Sequence, residues 1–490
     1  MSAAIYAKAI TTVVLGVQLT GCMSTLAPKY DRPVAPVSQT WPEQKVGSAE
    51  QTSGTPTLAD VTWQTLFADA KLQRVVQLAL ENNRDLRVAA LNIEKARAQY
   101  RIQRSELAPN IGAGLSGNSG RTPGSISTTG NAYTGHAYDL SVGVTAWELD
   151  LFGRIRSLKD QALQQYLSTE AAQRATRISL IAEVVSAYLR LSATSEQLKV
   201  AQDTEQSRQR AYDLQRQLRE IGNASELELQ QAQSELQAAR DDKLVFDGTL
   251  ATERNALELL VGTPLPADLQ PTASLESILT TQDLPPGLPA DVLQRRPDIL
   301  AAEHALIAAH ANIGAARAAF FPRISLTAGI GRASDSLDSL FDGGNRAWSF
   351  LPQISIPIFT GGRLEADLDV AKVEREVAVA DYEHAIQTAF REVADALAIL
   401  SRLGARLSTQ EQRLDAARQA YELVQQRYSG GVASYLEVLD AQRTLYTVQQ
   451  TWISTRLARQ TNFVDLFRAL GGDWQQEVDD KKLASVSTTR

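Results

Sequence analysis

Two hydrophobic periods alternate along the chain, and each occurs twice. Around residues 138–146 every second position is apolar: Tyr138, Leu140, Val142, Val144 and Ala146 alternate with Asp139, Ser141, Gly143 and Thr145. Ile324, Leu326, Ala328 and Ile330 alternate likewise with Ser325, Thr327, Gly329 and Gly331. Ile111, Ala113 and Leu115 open another strand, and Trp348, Phe350, Ile354, Ile356 and Ile358 line a fourth. Strands of roughly 9–11 residues with one apolar face and one small, polar face fit half of a soluble sandwich or an outer-membrane sheet. Two features favour the membrane. The flanking segments are helical and offer no partner sheet, and Trp147 and Trp348 stand where interfacial aromatics belong.

Between the strand pairs the pattern is helical. Residues 154–221 contain neither Gly nor Pro, and no Pro follows Pro357. A helix of ~66 residues would be ~100 Å long, more than a globular core needs and suited to a tube crossing part of an envelope. The return segments, residues 225–260 and 289–320, are about half that length. Near the turns apolar residues recur every three or four positions, at Leu214, Leu218 and Ile221 and at Leu414, Ala417, Tyr421, Val424 and Tyr428. That spacing predicts an antiparallel coiled-coil seam.

The chain is internally duplicated. Gly222, Ser225, Glu228, Ala232 and Gln233 align with Gly431, Ser434, Glu437, Ala441 and Gln442, 209 positions later (431 against 222). The same offset pairs Glu183 with Glu392, Tyr212 with Tyr421 and Gly262 with Gly471. Arg104, Pro109 and Ile111 match Arg317, Pro322 and Ile324 at an offset of 213. The four-residue slip falls in Gly/Ser/Thr-rich stretches near 117–136 and 331–346, where loops absorb length changes. Each copy therefore reads helix, hairpin, long helix, return helix. Four strands cannot close a barrel, and an open edge is not tolerated in lipid, so several chains must combine. Two would give eight strands and a side-chain-filled interior; three give twelve and a lumen. The small polar inner face favours the trimer.

Composition narrows the function. Lys and Arg number 49 against 56 Asp and Glu, a net charge of −7, which leaves no electrostatic footprint for nucleic acid. A single Cys excludes a disulfide framework or a multi-thiolate zinc site. With a mean hydropathy of −0.20 and no apolar run near 20 residues, a helical multi-span protein is not expected. That one Cys is Cys22. It follows Lys8, an apolar stretch at 9–19 and a Leu-Thr-Gly sequence at 19–21, and this segment resembles the signal and lipobox of bacterial lipoproteins. Residues 1–21 are then a signal peptide, Cys22 the lipidated residue, and 22–60 a Pro-, Ser- and Thr-rich extended tail. One lipid anchors only marginally, so a second membrane contact is expected.

Several motifs together make the resemblance specific: LAPKYDRP at 26–33, WQTLF at 63–67, LPADVLQRRPDI at 288–299, FFPRISL at 320–326, PIFTGGR at 357–363 and SYLEVLDAQR at 434–443. The chain resembles the TolC-type outer membrane factors, in particular the NodT-like efflux lipoproteins, over nearly its whole length. The resemblance implies a mainly α protein with membrane β: a trimeric twelve-stranded outer-membrane barrel, four strands per chain, continuing into a long periplasmic α-helical barrel with an equatorial belt. It implies the passive exit duct of a tripartite pump that exports small molecules such as drugs, docked to a periplasmic membrane-fusion adaptor and an inner-membrane transporter of the RND type or similar. Type I protein secretion and a non-channel coiled-coil envelope lipoprotein are the alternatives; a spacer of that kind has no use for four alternating strands.

The implied segments are periplasmic helices at 61–109, strands at 110–152, and a long helix, tip turn (219–225), return helix and equatorial segment at 153–287. The second copy has a helix at 288–321, strands at 322–360, and a long helix, tip turn (428–434) and return helix at 361–471, before a tail at 472–490. At the tips, Gly222 and Gly431 fit left-handed helix ends, and Ser225 with Glu228 and Ser434 with Glu437 spell two capping boxes. By resemblance, Leu436, Asp440, Glu437 and Glu228 form the gate constriction, and Gly222, Ser225, Gly431 and Ser434 lie where the adaptor docks. Nine carboxylates from three chains would favour cations. The family's enterobacterial members carry a basic gate residue where Ala433 stands here, so closure must differ in detail.

An enzymatic reading has little support. His136, His304, His310 and His384 show no metal spacing. Gly112, Gly114 and Gly117 spell a dinucleotide-type pattern but follow a helix and Pro109, the reverse of the strand-then-helix context required. No catalytic residue, metal or dissociable cofactor is expected, only the covalent lipid.

Overall fold

A computed structural model describes residues 25–38, 40–42, 63–271, 275–278 and 290–472. The signal segment and Cys22 lie outside the described residues, as do most of the tail that follows and the C-terminal residues 473–490. The main elements are α1 (Ala70–Asn82), α2 (Arg84–Ser105), β1 (Ile111–Thr122), β2 (Tyr133–Glu148), α3 (Arg154–Glu220), α4 (Glu226–Val261), α5 (Pro297–Ala318), β3 (Arg323–Ser334), β4 (Arg346–Ser355), α6 (Arg363–Ser429) and α7 (Tyr435–Ala469). The duplication is visible in their lengths. Helices α2 and α5 both have 22 residues, α3 and α6 both 67, and α4 and α7 have 36 and 35. At 1.5 Å per residue the two long helices are each ~100 Å long. The described residues are thus mainly helical with one four-stranded sheet, as the periodicity predicts.

The chain divides into two compact units. The first comprises residues 92–170 and 301–383 with the N-terminal residues up to 34, and it holds the sheet. The strands run antiparallel in the order β1-β2-β3-β4, leaving β1 and β4 as edges. The register puts Ile111, Ala113 and Leu115 beside Val144, Val142 and Leu140. These continue onto Ala328, Ile330, Phe350 and Trp348, so one face is apolar across all four strands. The opposite face carries Gly112, Gly114, Ser141, Gly143, Gly329, Gly331 and Ser349. At two of these positions a side chain would collide with the neighbouring strand: a Cβ on Gly331 would meet the Leu140 carbonyl and one on Gly143 the Ala328 carbonyl. The dinucleotide-like glycines are simply part of β1. Below the sheet Phe152 stacks on Phe321 at 4.8 Å, and Arg154 grips Glu148 through two hydrogen bonds of 2.9 and 2.8 Å.

Helix α5 is the one described helix long and apolar enough to cross a membrane on its own, although the sequence shows no uncharged run of that kind. It does not behave as lipid-facing. Glu303 on it accepts from Tyr30 at 2.8 Å and from Arg32 at 2.7 and 2.8 Å, which binds the N-terminal segment to this helix. His304 bonds Gln164 at 2.7 Å, and His310 packs edge-on against Tyr30, where burial lowers its pKa.

The second unit comprises residues 35–91, 171–300 and 384–490. Its core joins Leu72, Val75 and Val76 of α1 to Val184, Val185 and Tyr188 of α3, Leu257 and Val261 of α4, and Val464 and Phe467 of α7. Each such side chain contributes about 1.5–3 kcal/mol by leaving water. Buried Arg296 is neutralised where it enters this layer: it donates to Asp298 at 2.7 Å, Glu392 at 2.9 Å and the Ala469 carbonyl at 2.6 Å. A buried cation needs this many partners to offset its lost hydration.

Candidate functional site: the two helical tips

Both long helices of the second unit end in the same way. The Gly222 amide donates to Arg219 O at 3.0 Å and the Asn223 amide to Leu218 O at 2.7 Å; Gly431 and Val432 repeat this on Tyr428 and Arg427 at 2.9 Å each. The pattern needs a left-handed residue, and Gly222 and Gly431 have φ of 80° and 75°. Three residues on, each return helix opens with a complete capping box. Glu228 N donates to Ser225 Oγ (3.2 Å) while Ser225 N donates to Glu228 Oε2 (2.7 Å). The same bonds join Glu437 and Ser434 at 3.3 and 2.9 Å. Bonds from the Ser434 backbone and hydroxyl lower the pKa of Glu437. Glu228 and Glu437 therefore hold the turns, whatever else they do.

The two hairpins pack on each other through aromatic rings. Tyr435, Val438 and Leu439 bury against Ala232, with Tyr212, Tyr421, Val424 and Tyr428 around them. Tyr428 lies 5.8 Å from Tyr435, and its hydroxyl accepts from Gln215 at 2.7 Å. Burial pushes the Tyr435 hydroxyl up to about 12. Leu414 and Ala417 extend the seam of the second hairpin as the spacing predicts. The first hairpin departs from that reading. Leu214 and Ile221 are 46% and 69% exposed, and the inward positions belong to Arg208 and Gln215 instead.

Arg208 faces inward because Glu235 meets it there. Glu235 is buried, pairs with Arg208 at 2.9 Å and also accepts from Arg443 Nε at 2.8 Å. One carboxylate thus ties α3, α4 and α7 together. This cluster escaped the sequence reading; its signal is a charged pair, Arg208 and Glu235, at positions where the second copy has Ala417 and Thr444.

The second hairpin separates its residues by helix face. Val438 and Leu439 turn inward, while Leu436 is 58% exposed and Asp440, one turn on, is exposed with it. Asp440 adds to the field that, led by the Glu235 hydrogen bond, stabilises the Arg443 cation. Of the residues assigned to the constriction, Leu436 and Asp440 share one exposed face, while Glu437 and Glu228 are engaged in caps. Gly222, Ser225, Gly431 and Ser434, expected from the sequence to meet an adaptor, lie in the turns themselves. Among the described residues no group of His, Cys, Asp and Glu side chains is arranged to hold a metal.

Comparison with known proteins agrees over the whole chain. The family model for outer membrane efflux proteins matches residues 75–263 and 288–472. The toluene efflux pump outer membrane protein TtgC and the antibiotic efflux pump outer membrane protein ArpC, both of Pseudomonas putida, are each 44% identical to this chain over 491 residues, covering 100% of both chains. The open-state MtrE outer membrane channel of Neisseria gonorrhoeae superposes with a TM-score of 0.83 at 36% identity, covering 92% of this chain and 99% of that one.

Proposed function

The chain belongs to the outer membrane efflux protein family, and from that premise we propose that three copies join their sheets into one closed barrel that serves as the exit channel of a tripartite pump. The observation that carries this reading is the open sheet. Both β1 and β4 end in unpaired edges, yet one face is apolar over all four strands and the other is lined with Gly and Ser. An edge in lipid leaves backbone groups unsatisfied at several kcal/mol each. Adding strands from further copies removes the edges, and twelve strands leave a polar lumen.

In this reading the long helices form a periplasmic barrel and the segmentation given above follows from the duplication. The tips meet the periplasmic adaptor, and the inner-membrane transporter supplies the energy and the choice of substrate. The cargo is a small organic molecule, as the toluene and antibiotic pumps of the relatives favour. The channel has no catalytic group or cofactor of its own. At rest, Leu436 forms an apolar ring and Asp440 an acidic one, both free to face neighbouring copies because the intra-chain seam uses Val438 and Leu439. Glu437 and Glu228 add charge at the mouth.

Lipidation of Cys22 fits the same arrangement. The Leu26 carbonyl accepts from Arg317, six residues before β3 begins, at 3.1 Å.

Native mass spectrometry of the detergent-extracted protein, followed by reconstitution, tests the reading. A three-chain mass with ion conductance in bilayers is expected. A monomer that inserts but never conducts would overturn it.

A further inference from the structure

On the apolar face of the sheet, at the end away from the helices, Arg332 and Arg346 stand directly opposite each other on β3 and β4. Their row continues through Leu140 and Leu115 on β2 and β1, so both guanidinium groups share the face of Ile330, Val142 and Trp348. Like charges opposed across two strands destabilise a sheet unless something neutralises them. Nothing among the described residues does. Among the described residues neither arginine has an ion pair, although the hairpin between them contains Asp335, Asp338 and Asp342. Asp338 is held by the Ser336 hydroxyl. Arg332 is aimed rather than loose: Nη1 donates to the carbonyls of Phe341 and Asp342, the latter at 2.9 Å, and the Phe341 ring lies 6.0 Å away. Among the described residues its remaining N–H groups have no partner.

The height of this pair is set by its neighbours. Trp348, 79% exposed, lies two residues below Arg346 on the same face, and the row continues through Phe350 to Ile354, 62% exposed, near the end of β4. Six extended residues from Trp348 to Ile354 cover ~20 Å, or about 15 Å along the normal at the usual tilt, which fits within an outer-membrane apolar band with an aromatic at its edge. Trp348 therefore marks the upper interface, and the two arginines sit one step above it, at headgroup level. There a charge on the lipid face costs little, whereas at mid-membrane it costs about 2–4 kcal/mol.

We propose that Arg332 and Arg346 form a binding site for the phosphate of an outer-leaflet glycolipid, with Trp348 against the start of its acyl chains. This rests on the membrane orientation proposed above. Two planar guanidinium forks match phosphate oxygens in a way that lysines would not, and a shared phosphate removes the repulsion between them.

The test uses the full-length protein in detergent, with diphosphorylated lipid A as probe and monitored by native mass spectrometry. Phosphatidylcholine and inorganic phosphate serve as separate controls. Wild type is expected to retain lipid A, with Arg346→Gln and the Arg332→Gln/Arg346→Gln pair weakening retention by at least about tenfold. Arg346→Lys should keep an intermediate affinity. Arg346 is exposed and has no ion pair among the described residues, so its single variant remains folded and informative. Equal retention by wild type and the double variant overturns the proposal, as does full competition by millimolar inorganic phosphate, which would mark a free-anion site. Conductance measured on the same samples separates the two readings: conducting variants with unchanged lipid binding refute only the glycolipid site, and loss of conductance in wild type refutes the channel.

Discussion

Val144 and Trp147 point to the same side of the sheet although three positions separate them. Val144 pairs with Ala328 and Trp147 with Leu326, so β2 carries one more residue than β3 between these rungs. The extra residue is absorbed at Ala146, whose φ is 49° and whose amide donates to Thr327 Oγ1 at 3.0 Å. Without the bulge Trp147 would turn to the small, polar face, away from the apolar row it shares with Leu326.

The bulge has a measurable cost. A left-handed non-glycine residue costs about 1–2 kcal/mol, so Ala146→Gly should stabilise the barrel by about 1 kcal/mol and Ala146→Val should destabilise it by more. Heat dissociation of the oligomer in detergent reads this out; a lower transition in Ala146→Gly would contradict the account.

Glu235 is the most sensitive side chain of the tip. Glu235→Gln leaves Arg208, only 5% exposed, with an uncompensated charge at a cost of about 3–5 kcal/mol. Hydrogen exchange across residues 205–240 should accelerate strongly, and adding Arg208→Met should restore part of the protection. Arg443→Gln should do far less, because Arg443 is half exposed and salt bridges of that kind contribute about 0–1 kcal/mol.

The capping boxes predict a pH dependence. Folding lowers the Glu437 pKa, so its contribution is present above the unfolded value, near 4.3, and fades as pH falls through the lower folded value. Protection of the 428–437 turn should therefore decline on acidification below about pH 4. Glu437→Gln keeps a neutral cap and should abolish that dependence, while Ser434→Ala should cost about 1 kcal/mol at neutral pH.

Lipidation is checked by mass. The mature protein should carry an acyl modification that Cys22→Ser removes, and the variant should still insert, because the sheet supplies the stronger membrane contact. Loss of insertion with the acyl group would contradict that ranking.

How much of this is legible in the sequence depends on which residues carry it. The strand pattern reads directly at 138–144, where period two is strict, and fails at Ala146, because an alanine carries no mark of a left-handed backbone. The second hairpin's seam reads directly because apolar Leu414, Tyr421 and Val424 occupy it. The first hairpin misleads: its inward face is Arg208 and Gln215, which bond Glu235 and Tyr428, so the exposed Leu214 and Ile221 mimic a core. The Ser-x-x-Glu spacing announces both caps, since a capping box is local. The ion cluster of Arg208, Glu235 and Arg443 is not local, and only the departure from the internal repeat hints at it.

Single-channel conductance in planar bilayers, wild type beside Leu436→Ala/Asp440→Ala, tests the central claim most directly. The account predicts small, cation-selective steps for wild type and markedly larger, less selective ones for the variant, with the same oligomeric mass. Identical steps in the two proteins would contradict a gate at the tip of the second hairpin.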